Sequence, residues 1–111
     1  MASFVIETYV SGGDSGRFAD DVAGIGAAAR TLGAVPAVHH VRSYLVPSDE
    51  MGFHVLEAES VVEVSRVASL ARVEVERIVR VIGIEPADLA ADGRGSWMRV
   101  EASVHDRGEL L

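Results

Sequence analysis

A chain of 111 residues with 49% hydrophobic and 24% charged content holds enough material for one globular domain and one core, and too little for two. Its formal charge of -7 argues against a nucleic-acid partner, which needs a basic patch whose counterion release supplies affinity. Cysteine is absent, which excludes disulfides, thiolate metal sites and a thiol nucleophile, so any metal must be held by imidazole and carboxylate groups.

No basic region followed by an apolar block opens the chain, and no apolar run approaches the roughly 20 residues of a bilayer span. A cytoplasmic protein with no membrane partner is the expectation. Residues 3–10 alternate, with Phe4, Ile6, Thr8 and Val10 on one side and Val5, Glu7 and Tyr9 on the other, which is the period of a first strand. The loop Ser11-Gly12-Gly13-Asp14-Ser15-Gly16 then breaks the pattern. After it, Phe18, Val22, Ile25, Ala29 and Leu32 recur at helical spacing, and the helix should run to about Leu32. Asp14 or Ser15 suits its N-cap and Gly33 its C-terminal stop. Gly24-Ile25-Gly26 with the alanines after it has the spelling of a dinucleotide fingerprint, but it lies inside this helical stripe rather than after a strand. Close packing of the helix is the simpler use for these glycines.

Two strand-like runs follow, residues 38–46 and 51–59, joined by Pro47-Ser48-Asp49-Glu50. They predict an antiparallel hairpin. Ser60 and Glu63 have the spacing of a capping box and start a second helix at Val61, whose buried stripe would be Val61, Val64, Val67, Ala68 and Ala71. Residues 75–84 are β-branched and alternating, and give a fourth strand stopped before Pro86. Strand, helix, strand, strand, helix, strand is the ferredoxin-like α+β order, βαββαβ, with a four-stranded antiparallel sheet and both helices on one face. Residues 86–111 form a C-terminal extension: a short helical piece at 86–91, a hinge at Gly93-Arg94-Gly95, and an alternating run from Trp97 to His105 that could add an edge strand or cross to a partner.

Three of the four histidines lie on the hairpin. His39 and His40 are adjacent on a strand and so point to opposite faces. His40 shares a parity with Arg42 and Tyr44, the set that suits the open face of the sheet, and His39 shares one with Val41, Ser43 and Leu45, the set that suits the covered face. Counted inward from the turn, His54 falls near Ser43 or Tyr44, and Glu57 near His40 or Val41. Glu7 looks toward the open side. Glu7, His40, His54 and Glu57 thus make a candidate metal cluster of imidazole and carboxylate ligands, suited to nickel, zinc or cobalt. The alternative is a hydrogen-bonded polar patch at a dimer interface. His105 joins only if the extension folds back. The same groups offer a general base, with Arg42 or Tyr44 as polariser, yet there is no nucleophile elbow, phosphate loop or helical histidine pair to fix a reaction.

Arg42-Ser43-Tyr44, Phe53-His54-Val55-Leu56-Glu57-Ala58 and Val75-Glu76-Arg77-Ile78-Val79, preceded by Phe4-Val5-Ile6-Glu7, resemble the small nickel-binding-protein-like family, a ferredoxin-like domain of unknown function. The resemblance covers residues 1–85. It implies a homodimer of the dimeric α+β barrel type and nickel as the bound ion. His54 stands where many relatives carry cysteine, and residues 86–111 lie outside the match. The expectation is a homodimer that binds a divalent transition metal, with a non-catalytic role favoured over an enzymatic one. The alternatives are a small dimeric enzyme performing proton transfer on an organic ligand, and a non-catalytic interaction domain.

Overall fold

The computed structural model describes residues 1–32 and 37–87. Strand β1 (Ala2–Tyr9), helix α1 (Ser15–Thr31), strand β2 (His39–Val46), strand β3 (Met51–Ala58), helix α2 (Val61–Ala71) and strand β4 (Arg77–Val81) follow in that order. The four strands form one sheet, ordered β2-β3-β1-β4, and every neighbouring pair is antiparallel. This is the ferredoxin-like α+β arrangement. Of the short helix expected at 86–91 only residues 86 and 87 are described, both helical; the rest of it, the expected terminal strand and His105 lie outside the described residues, as does Gly33.

Alternation in β1 sends Phe4, Ile6 and Thr8 inward, where all three are buried. They meet Leu56 and Ala58 of β3, Ile25, Ala28 and Ala29 of α1, and Val64, Val67 and Ala68 of α2 in one core on the helix-covered side of the sheet. The stripe expected on α2 is narrower at its ends than its spacing suggests. Val61 is exposed and Ala71 only half-buried, so the buried part of the stripe is Val64, Val67 and Ala68. Gly24 brings the two helices together: a Cβ there would lie 3.5 Å from the Ala71 carbonyl oxygen, so the fingerprint spelling serves helix packing.

Helix α1 begins as expected, with the Asp14 carboxylate accepting from the backbone N–H groups of Gly16 and Arg17. Helix α2 departs from the capping-box expectation. Ser60 is the N-cap residue, but its hydroxyl bonds no backbone N–H and instead donates to the Glu63 carboxylate at 2.5 Å. That donation holds the Glu63 carboxyl below its ordinary range, since a hydrogen bond to the charged form favours it. The chain leaves α2 through Arg72 in the left-handed region, φ 59°, closed by Val73 N–H donating to the Ala68 carbonyl at 3.1 Å in the manner of a Schellman turn.

Strand β4 is shorter than the alternation from 75 to 84 suggests. Its ladder with β1 spans only Ser3 to Glu7, and past Val81 the register leaves almost nothing of β1, which begins at Ala2. Ile82 and Ile84, which complete the alternation, are accordingly among the most exposed apolar residues. The turn before β3 needs its glycine neighbour: Gly13 has φ +64° and a Cβ there would sit 2.6 Å from the Pro47 carbonyl oxygen, a contact no side chain tolerates.

Candidate functional site: a histidine–serine–histidine chain under the first helix

The hairpin register decides where each candidate side chain faces. His54 pairs with Ser43, and His39 with Glu57. Between them the ladder slips: His40 pairs with Leu56 while Arg42 pairs with the next residue, Val55. Val41 is the extra residue of a β-bulge. The bulge breaks the alternation assumed for β2, so His40 and Ser43 lie on the same, helix-covered face although they are three residues apart, and Arg42 and Tyr44 keep to the open face.

The expected cluster is therefore divided. His40 and His54 come together on the covered side. Glu57, paired with His39, and Glu7, paired with Phe53 and Arg77, face the other way. His39, expected on the covered face, is exposed on the open one. Glu7 is committed to an ion pair with Arg77 at 3.0 Å. Among the described residues, no three histidine or acidic side chains gather closely enough to hold a metal ion.

What the covered face does assemble is a continuous hydrogen-bonded chain. His40 Nε2 lies 2.8 Å from Ser43 Oγ, and Ser43 Oγ lies 2.7 Å from His54 Nδ1. These are hydrogen-bond separations, well beyond the roughly 2.0–2.1 Å of a metal–imidazole bond. The ring of His54 is fully buried and stacks on Phe18 of α1 at a centroid distance of 4.9 Å. Gly52, two residues earlier on the same face of β3, makes room for that ring: a Cβ there would come within 2.3 Å of a Phe18 ring carbon.

Burial, with a smaller contribution from the nearby His40, lowers the pKa of His54 to about 4. His40 is lowered too, by burial, with the Arg42 backbone opposing. Both rings are neutral at pH 7, the form that ligates a metal or accepts a proton. The serine hydroxyl carries one hydrogen, so the arrangement that satisfies every atom has one ring donating to Ser43 and Ser43 donating to the other. His54 Nε2 is buried without a partner. An orphaned acceptor is tolerated better than an orphaned N–H, which favours His54 Nδ1–H donating to Ser43, Ser43 donating to His40 Nε2, and His40 carrying its proton on Nδ1.

Sequence reasoning found both histidines and missed the groups that define their setting. Ser43 is a short polar side chain at a covered position of a strand, and Phe18 is the first apolar residue of α1. Neither announces an imidazole neighbour, since that proximity is set by the bulge and by helix placement.

These features define a small α+β domain whose histidine pair, His54 buried and His40 half-buried, lies between the sheet and its first helix. Among solved structures, the chain is similar to SCO4226 from Streptomyces coelicolor A3(2), known from a crystal structure, with a TM-score of 0.54 and 18% identity over 76% of this chain and 100% of that one. At that identity the likeness speaks for the fold. No family model matches the chain, and no curated protein does. Among the described residues, no helix is long and apolar enough to cross a membrane.

Proposed function

We propose that the protein binds a divalent transition metal through the imidazoles of His40 and His54, with nickel the ion that the family resemblance names. The observation that supports this is the convergence of two neutral imidazoles, His40 Nε2 and His54 Nδ1, about Ser43 Oγ; an ion there would displace the serine hydroxyl, and the His54 proton would move from Nδ1 to Nε2 to free a lone pair. Imidazole is a good donor for nickel, zinc and cobalt. Glu7 and Glu57 face the opposite side of the sheet and take no part, so the remaining coordination positions would be filled by water or by groups outside the described residues. Such an ion would be held reversibly and in an open coordination sphere, which suits transport or sensing more than a structural role.

The open face of the sheet supports a homodimer within the same reading. Val5, Phe53, Val55 and Val79 lie side by side there without a helix above them, and Tyr44 beside Phe53 is 51% exposed. A second copy, applying the same face, would cover this surface with a self-complementary contact.

Calorimetric titration of the tag-free, metal-free protein with nickel tests the assignment. Binding should weaken at least about tenfold in His40→Ala and in His54→Ala, since losing an imidazole ligand should cost no less than losing one of its outer hydrogen-bond partners, and stay unchanged in Glu7→Gln and Glu57→Gln. No heat in the wild type, or an affinity unchanged from wild type in both histidine variants, would remove the metal. Sedimentation of the same samples reads the oligomeric state, and a monomer at all concentrations would remove the dimer.

A second reading has its own support. His40 borders a cavity, so the hydrogen-bonded chain could move a proton to or from an organic ligand there.

A further inference from the structure

A cavity of about 620 Å³ opens where α1 meets the start of β2. Its volume is that of a site for a small molecule. Arg30, His39 and His40 supply the polar part of its wall, and Ala29, Ala37 and Val38 the apolar part. Among the described residues no acidic side chain lines it, although acidic residues outnumber basic ones by 17 to 10 in the chain as a whole. The local balance is thus the reverse of the global one.

Gly26 focuses this wall. A Cβ on Gly26 would lie 3.5 Å from Arg30 Nη1 and 4.0 Å from His40 Nδ1, so the guanidinium and the ring nitrogen converge over a backbone that has no side chain of its own. Among the described residues Arg30 has no carboxylate partner. The hydrogen-bond direction argued above leaves a proton on His40 Nδ1, the ring atom nearest Gly26, because Nε2 is occupied by Ser43. Two donors of different reach therefore meet at the mouth of a cavity whose other wall is aliphatic.

We infer that this cavity binds a small aliphatic carboxylate, its carboxylate held by Arg30 and His40 above Gly26 and its hydrocarbon part lying against Ala29, Ala37 and Val38. A planar guanidinium fork matches a carboxylate in two parallel bonds. The aliphatic wall favours an organic acid over inorganic phosphate, which has no apolar part to bury. The site shares His40 with the metal assignment but uses the other ring nitrogen, and Arg30 and Gly26 contribute nothing to the imidazole pair.

Titration of the full-length, metal-free protein with isobutyrate, followed by backbone amide NMR shifts, tests this inference. Chelator must be removed beforehand, because common chelators are themselves carboxylates. Saturable shifts are expected around residues 26–30 and 37–40. Arg30→Gln should weaken binding about tenfold or more, the scale of a lost hydrogen bond to a charged group, while Arg30→Lys should recover part of it. Gly26→Val should abolish binding by filling the space between the two donors, with the amide spectrum reporting that the fold is kept. Absence of saturable shifts, an affinity unchanged by Arg30→Gln, or binding of inorganic phosphate in place of isobutyrate would each overturn the assignment. Should Gly26→Val disturb the fold, the Arg30 variants decide alone.

Discussion

The two faces of the sheet carry the same kinds of residue and put them to opposite uses. On the covered face, His40, Ser43 and His54 form a hydrogen-bonded chain closed off by Phe18. On the open face, His39 stands beside Glu57 and Glu7 pairs with Arg77, within reach of water. A histidine is fixed by hydrogen bonds beneath a helix on one side and exposed to solvent on the other. Residue type therefore says less about chemistry here than the side of the pleat on which a residue falls, and for β2 that side is set by one extra residue, Val41.

The largest expected contrast between the faces is in pH dependence. His54 has its pKa lowered to about 4 in the fold, against about 6.5 in the unfolded chain. Between those values the unfolded state binds a proton that the folded state does not, so stability rises with pH across the window and is lost as pH falls through it. The full effect is about 3 kcal/mol, developed from pH 6.5 downward and complete near pH 4. Denaturant unfolding at a series of pH values should show it for the wild type and show a flatter profile for His54→Leu. His40, the titrating group nearest His54, shifts in the same direction and deepens the slope. An equal slope in the variant would mean that His54 titrates normally and is not sealed as described.

The second contrast concerns the serine. Ser43→Ala leaves His54 Nδ1 and His40 Nε2 both without a partner in a largely buried setting, at a cost of about 1–3 kcal/mol. Tyr44→Ala, one residue on and facing outward, removes no hydrogen bond found among the described residues and should cost less in the monomer. Chemical denaturation of the two variants side by side would read the difference. A larger loss for Tyr44→Ala would indicate that the open face is itself buried, against a second copy.

The element order, the hairpin and most of the core were legible in the sequence because each rests on a local period. Phe4, Ile6 and Thr8 follow the strand alternation, Ile25 and Ala29 the helical one, and the structure buries all five. The candidate site was legible in part. His40 and His54 could be picked out as residues, but the facing of His40 could not, because parity counting assumes an unbroken ladder and a bulge adds one residue without any strong sequence mark. Val41 is a β-branched residue like any other in a strand. The carboxylates failed for a plainer reason: Glu57 is three residues from His54 on an unbroken strand and Glu7 pairs with Phe53, so parity alone puts both on the face opposite His54, and the bulge then takes His40 to the His54 side. Strand β4 was overextended because alternation measures the compatibility of a segment with a sheet, whereas its length is fixed by the partner, and β1 offers no pairing beyond Ser3.

The smallest expected effect belongs to the ion pair on the open face. Arg77 Nε approaches the Glu7 carboxylate at 3.0 Å, with the arginine side chain 67% exposed and the glutamate 16%. Coulomb attraction at such a position is weakened by water and opposed by the entropy of holding a long side chain, so the pair should contribute under about 1 kcal/mol. Arg77→Ala should therefore lower stability slightly at low salt and leave it nearly unchanged at high salt, where screening has already removed the attraction. The argument sharpens if the open face is covered by a second copy. Exclusion of water would then turn Glu7 into a buried charge, and the same substitution would become both costly and insensitive to salt. The salt dependence of Arg77→Ala thus distinguishes a solvated sheet face from a paired one, even though the energy involved for the solvated face is close to the limit of measurement.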